Sequence, residues 1–338
     1  MKRIIASLIA VLMLAFVTPV VFAANMDFTG EISSEVKYSK EFSGVSELEL
    51  SANLGNNLKA GLNFGKEKQS FPWNPANMSI KNLWLETKGA LVPGTPEFVT
   101  RIGGMDVEYS DYIASEVNTT GISIDQLSMG PVTLGGYYSL DSASNLDRGA
   151  YLKAKLVEGI EAQGTIVKAN DELSYAVETS VKPVERAEVS GTFAAVDQGE
   201  QAYRVDGNYQ LLEGLEVRAG YQDIPAEFAP AHMTTDTDVL ENGTGFTVGA
   251  TANQYGFEVI GDYADYNKTI DYSVARTLTL AGMDFDTKLE GDFNVETTTV
   301  NELEASVGYN APNGLGLAVA YDLINNQPKA SAELNLQF

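Results

Sequence analysis

The sequence predicts an all-β chain: one closed, antiparallel, up-and-down transmembrane β-barrel of about 20 strands, with roughly 16 to 20 compatible with the pattern. Three observations predict this. Apolar and polar residues alternate with period two from the first residues after Ala23 to the last. The alternating segments run about nine or ten residues, the length a tilted strand needs to cross a bilayer. Connections are tight at one end and include long ones at the other, the asymmetry of a membrane barrel.

Asp27–Ser39 opens the series. Phe28, Gly30, Ile32, Val36 and Tyr38 share one face, and Asp27, Thr29, Glu31, Ser33, Glu35 and Lys37 share the other. Further segments are expected near 46–54, 58–66, 80–88, 97–105, 119–128, 132–140, 148–156, 160–168 and 173–181. The second half continues near 187–195, 202–210, 215–222, 244–252, 256–264, 270–279, 283–293, 300–309, 314–322 and 328–338. The segments at 80–88 and 270–279 fit least well, because Trp84 and Arg276 fall on the wrong faces; this leaves sixteen or eighteen strands open.

Tight connections are expected at Gly55-Asn56-Asn57, Met129-Gly130-Pro131, Val157-Glu158-Gly159, Asn253-Gln254-Tyr255 and Asn310–Asn313, and long ones at 67–79, 106–118 and 223–243. A turn-to-strand phrase recurs as Gly159-Ile160-Glu161-Ala162, Gly214-Leu215-Glu216-Val217 and Gly256-Phe257-Glu258-Val259. Arg186-Ala187-Glu188-Val189 lacks its Gly, and Gly314-Leu315-Gly316-Leu317 lacks its Glu. Without a blade signature, such repetition reads as a meander of hairpins. No linker interrupts it, so residues 24–338 are expected to form one domain.

Residues 1–23 stand apart. Lys2 and Arg3 precede an apolar run from Ile4 to Val17, then Pro19 and Val21-Phe22-Ala23, the order of a secretory signal peptide cleaved after Ala23. An uncleaved anchor is the rival reading, but the run is short for a span.

Composition excludes several kinds of chemistry. The 338 residues include no Cys, one His, 22 basic and 46 acidic side chains, a formal charge of −24. Loss of Lys2 and Arg3 with the leader would take that charge to −26. Without Cys there is no disulfide, thiol nucleophile or thiolate metal site, and a single His excludes multi-His metal centres. The acidic surplus argues against nucleic acid as a partner. Asp236-Thr237-Asp238 with Glu241 is a loose calcium-like set, but a plain acidic loop is the simpler reading. No phosphate-binding loop or dinucleotide fingerprint appears, and no cofactor is expected. His232 lies beside loop carboxylates, as a general base would, yet no Gly-x-Ser-x-Gly phrase accompanies it. Enzymatic function is therefore not expected.

A soluble barrel or sandwich turns its apolar face inward and rarely reaches so many strands around one core. A membrane barrel reverses the faces and leaves no strand edge unpaired in hydrocarbon. At this point the chain resembles the bacterial outer-membrane porins. The last segment, Ala330-Ser331-Ala332-Glu333-Leu334-Asn335-Leu336-Gln337-Phe338, alternates strictly and ends in Phe. Leu334, Leu336 and Phe338 are similar to the carboxy-terminal signal by which such barrels are recognised for insertion, although Leu336 stands where an aromatic is commoner. The resemblance implies export through the periplasm to the outer membrane, with its lipid and the barrel-assembly machinery as partners. It also implies passive diffusion of small hydrophilic solutes, and a homotrimer as the typical oligomer.

With the apolar face toward lipid, the alternate positions line the interior. The expected lining includes Glu31, Glu35, Glu47, Glu49, Glu161, Glu178, Glu188, Asp206, Glu216 and Arg218. It continues with Glu258, Asp262, Asp286, Glu290, Glu302 and Glu304. A carboxylate-rich aqueous path concentrates cations and repels anions. In porins the third external loop commonly folds into the lumen. By that resemblance Asp106, Glu108, Asp111 and Glu116 form an acidic constriction, with Tyr109 and Tyr112 as stacking or packing groups. The alternative is a solvated loop whose tyrosines pack on the rim. Two other functional classes remain at this stage: a surface adhesin or scaffold without a useful pore, and a loop-based hydrolase.

Overall fold

Every expected segment forms a strand in the computed structural model, which describes residues 26–39, 41–54, 57–70, 79–90, 95–115, 117–140, 147–197, 199–233 and 240–337. The first ten strands are β1 (Met26–Ser39), β2 (Glu41–Leu54), β3 (Leu58–Ser70), β4 (Ser79–Gly89), β5 (Phe98–Val107), β6 (Val117–Met129), β7 (Val132–Ser139), β8 (Arg148–Val157), β9 (Ile160–Ala169) and β10 (Glu172–Val184). The rest are β11 (Ala187–Val196), β12 (Gln201–Leu212), β13 (Leu215–Ile224), β14 (Gly243–Gln254), β15 (Phe257–Ala264), β16 (Thr269–Leu280), β17 (Met283–Asn294), β18 (Thr299–Asn310), β19 (Leu315–Asp322) and β20 (Gln327–Gln337). The expected leader, Glu116, the Asp236-Thr237-Asp238 set and Phe338 lie outside the described residues.

Each strand pairs antiparallel with its neighbour in the chain. β1 pairs with β20 from Glu31↔Gln337 to Tyr38↔Ala330, which closes a 20-stranded barrel. Closure removes the unpaired strand edges that an open meander would expose. The two doubtful segments are β4 and β16, so the count is twenty rather than sixteen or eighteen.

Their misplaced residues have local explanations. Trp84 lies opposite Gly61 on β3 and Gly103 on β5. A Cβ at Gly61 would fall within the indole, so glycine makes the room in which Trp84 is buried. The Arg101 guanidinium covers the ring at 4.4 Å from its centroid, a cation–π contact. Arg276 lies opposite Phe257 and stacks on it at 4.6 Å. Period-two sterics thus tolerate one wrong residue where a neighbour supplies space or an aromatic face.

The repeated turn phrase also has a structural meaning. Gly159, Gly214 and Gly256 have φ of 78°, 76° and 76°, the left-handed region that closes a tight turn. The next residue starts a strand on the apolar face, and the Glu after it falls on the polar face. Tyr255-Gly256 and Ala281-Gly282 are two-residue loops with positive φ at both positions, the type I′ pattern that matches strand twist. At the opposite end Asn170-Asp171 does the same, so that end carries short connections as well as long ones.

The outward face is predominantly apolar, with Ile122, Leu152, Val177, Val205, Val248, Val259, Leu289 and Val319 all exposed. Buried apolar residues do not fill the barrel as a general core. Most of those described gather in two clusters on one side, beneath the connections after β5 and β13, with Ala52, Ala60, Trp84 and Ala264 buried elsewhere.

Candidate functional site

The strand registers bring the acidic positions of the polar face into rows. Across β15–β18, Asp262 lies opposite Asp271, Asp271 opposite Asp292, and Asp292 opposite Glu302. Along the neighbouring level Glu290 faces Glu304, and Glu304 faces Asp322. Glu35 faces Glu333 across the closure, and Glu31 faces Glu49 between β1 and β2. Like charges directly opposite one another destabilise a sheet; of these seven pairs, four include a carboxylate held in an ion pair by Lys37, Arg218, Lys288 or Lys329. Glu47 stands opposite Ser33 in register; its side chain is not among those described.

Most cations of the same face are engaged. Lys37 pairs with Glu35 at 2.9 Å, Lys153 with Glu161 at 3.0 Å, Arg204 with Asp206 at 2.7 Å and Lys288 with Glu290 at 2.5 Å. Arg218 makes a forked contact with Asp262 and donates to Thr251 Oγ1 at 2.8 Å. Lys329 pairs with Glu304. Each pair cancels one carboxylate, while Glu49, Glu216, Glu258, Asp286, Asp292 and Glu302 have no ion pair among the described residues. Asp286 accepts instead from Thr277 at 2.7 Å, and Asp292 from Asn301 at 2.6 Å. A cavity of about 970 Å³ opens between Glu188, Arg204, Asp206, Glu216, Arg218, Asp262 and Asp292. A second, of about 700 Å³ near the turn end, is lined by Glu258, Asp286, Lys288 and Glu333.

The connection after β5 folds onto this polar face. Tyr109 donates its hydroxyl to Asp125 on β6 at 2.9 Å and stands between Tyr137 and Tyr151, with centroids at 5.9 and 4.6 Å. Gln163 on β9 donates to the Tyr109 carbonyl at 2.5 Å, and Ser110 donates to Glu178 on β10 at 3.1 Å. Burial, and secondarily the Asp125 carboxylate, push the Tyr109 hydroxyl well above the ordinary tyrosine range; burial does the same at Tyr112. Both groups are therefore neutral at physiological pH, and Tyr109 donates its hydroxyl to Asp125.

A second connection completes the packing. Phe228, fully buried in the segment after β13, lies 6.5 Å from Tyr112, ring to ring. Tyr112, Ile113, Ala114, Phe228 and Leu240 share one apolar cluster with Ala176, Ala194 and Ala202 of the wall. Those three alanines face one another in register across β10, β11 and β12. With Val167, Ala169 and Ile224 of the same cluster, their side chains form an apolar shelf on the polar face. His232 joins the connections: its Nε2 lies 3.0 Å from Asp147 Oδ2, and its carbonyl accepts from the Ser115 amide at 2.9 Å.

Of the residues expected in the constriction, Tyr109 and Tyr112 come together with the wall. Asp106, Glu108 and Asp111 remain exposed, and Asp106 and Glu108 border a 490 Å³ cavity with Glu86, Arg101 and Lys153. Sequence reasoning missed Asp125, Gln163, Phe228 and Asp147, the groups that hold the loops. It also missed the alanine shelf, whose signal was present as Ala at positions where the alternation calls for polar residues.

No known protein family and no curated protein matches this chain. Solved structures do share the fold. OprD of Pseudomonas aeruginosa is 8% identical with a TM-score of 0.53, covering 93% of this chain and 95% of that chain. OccK11 (OpdR) of the same organism is 10% identical with a TM-score of 0.52, covering 93% and 96%. OccK8 (OprE), also of Pseudomonas aeruginosa, is 13% identical with a TM-score of 0.51, covering 94% and 99%.

Proposed function

We propose that the chain is an outer-membrane channel through which small hydrophilic solutes diffuse passively, with a preference for cations. The similarity in fold to OprD, described as an outer membrane protein, supports the location. An apolar exterior and a polar interior suit a barrel immersed in lipid around water. A barrel of twenty strands also leaves space that eight strands would fill with side chains.

The carrying observation for selectivity is the set of carboxylates facing one another across β15–β20, β1 and β2. Such pairs cost stability, and mobile cations in the water between them relieve that cost. The same field concentrates permeant cations and excludes anions. Tyr109, Tyr112 and Phe228 hold the two long connections against the β6–β13 wall, so the constriction lies between that packing and the acidic wall. Asp106, Glu108 and Asp111 project from the constricting segment. The role of Leu334, Leu336 and Phe338 in insertion belongs to the same reading.

Planar-bilayer conductance of the refolded protein under a salt gradient tests this. Discrete conductance steps and a cation-selective reversal potential are expected. Absence of steps overturns the channel and leaves a scaffold or adhesin; anion selectivity overturns the role given to the carboxylates.

A further inference from the structure

The outward face of β16 carries Ile270, Val274, Leu278 and Leu280, and in their midst Arg276. Its orientation is fixed by the residues beside it. The Thr277 and Thr279 hydroxyls donate on the opposite face to Asp286 and Asp284, at 2.7 and 2.6 Å. Arg276 is exposed and four residues short of the turn that ends the strand. No ion pair among the described residues involves it. Arg148 and Lys168, the other described cations on the outward face, lie opposite each other at the far, loop end.

An outward charge costs about 2–4 kcal/mol at the bilayer midplane and roughly 0–1 kcal/mol near the interface. The Arg276 stem reaches the interface at the turn end, where aromatic residues mark the boundary. Phe257 supports the guanidinium from below at 4.6 Å. Phe285 and Tyr309 form a ring pair at 5.4 Å on β17 and β18, and Tyr255 is 93% exposed on the adjoining turn. The stacked guanidinium still offers planar N–H donors with no carboxylate to receive them. At that depth the complementary acceptor is a phosphate.

We propose that Arg276, propped on Phe257, binds the phosphate of an anionic phospholipid in the leaflet at the turn end of the barrel. This inference rests on the membrane reading above and concerns the opposite face of the wall from the solute path.

Native mass spectrometry of the detergent-refolded full chain, titrated with phosphatidylglycerol or phosphatidylcholine, tests it. The wild type is expected to retain phosphatidylglycerol in preference to phosphatidylcholine. Arg276→Gln is expected to lower phosphatidylglycerol retention roughly five-fold, the equivalent of about 1 kcal/mol for one basic residue at an anionic surface. Arg276→Lys keeps the charge but loses the planar fork, and should fall between the two. Equal retention of phosphatidylglycerol by wild type and Arg276→Gln overturns the site. So does equal retention of both lipids by the wild type. Where the wild type conducts in bilayers, either result sinks this inference alone; a chain that neither inserts nor conducts sinks the membrane reading beneath it.

Discussion

The two sides of the barrel solve the problem of an interior face differently. On β6–β13 the polar face is interrupted by alanines, receives Tyr112, Ile113 and Phe228, and satisfies its acids with neutral partners such as Tyr109 and Ser110. On β15–β20, β1 and β2 no loop cluster is packed among the described residues, and carboxylates face carboxylates. The first side gains apolar burial and hydrogen bonds. The second lacks that packing; its hydrogen bonds, as from Thr277 to Asp286, and its ion pairs, as of Lys329 with Glu304, offset only part of the repulsion. Local rules are most often broken where function requires it, and the second side is therefore the stronger candidate for solute contact.

The largest test of this contrast is Phe228→Ala. Truncating a fully buried Phe costs about 3–5 kcal/mol, enough to release the connection after β13 while the hydrogen-bonded barrel survives. Single-channel conductance should rise, and limited proteolysis should cut between Ile224 and Gly243. An unchanged conductance would show that the packed side does not restrict the path.

A smaller effect should separate the walls electrically. Replacing Glu290, Asp292 and Glu302 together by their amides is expected to lower the cation-to-anion permeability ratio several-fold, read from the reversal potential. Changing Glu178 and Asp125 on the packed side to amides should move it much less. Equal shifts would erase the distinction.

The smallest effect concerns the clasp itself. Tyr109→Phe removes the donor to Asp125 and should weaken loop docking by about 1 kcal/mol, seen as more frequent current fluctuations. Tyr109 has a raised pKa in the folded state, so its stabilising contribution is complete below the unfolded value near 10 and is lost progressively as pH rises from there toward the raised one. Wild-type conductance is accordingly expected to stay flat up to about pH 10. A step within the ordinary tyrosine range would contradict the buried hydrogen bond.

Much of this was legible in residue order. The period-two pattern located all twenty strands, and the Gly-apolar-Glu phrase marked where turns deliver apolar residues to one face and carboxylates to the other. Trp84 and Arg276 made two strands look doubtful, because their compensation by Gly61 and Phe257 lies across the sheet rather than along the chain. The loop clasp was less legible still. Tyr109 meets Asp125, Gln163 and Tyr151 only after four strands have been laid side by side. Asp147 and His232 are 85 positions apart and are joined by a single contact.

Alternation by itself determined the strands, their faces and the acidity of one face, because side-chain direction along a strand depends on nothing beyond the chain's own geometry. Register between strands and the folding-in of loops depend on which distant residues fill a common space. Only the tertiary structure decided that the carboxylates would confront one another on one side, and that the long connections would pack against the other.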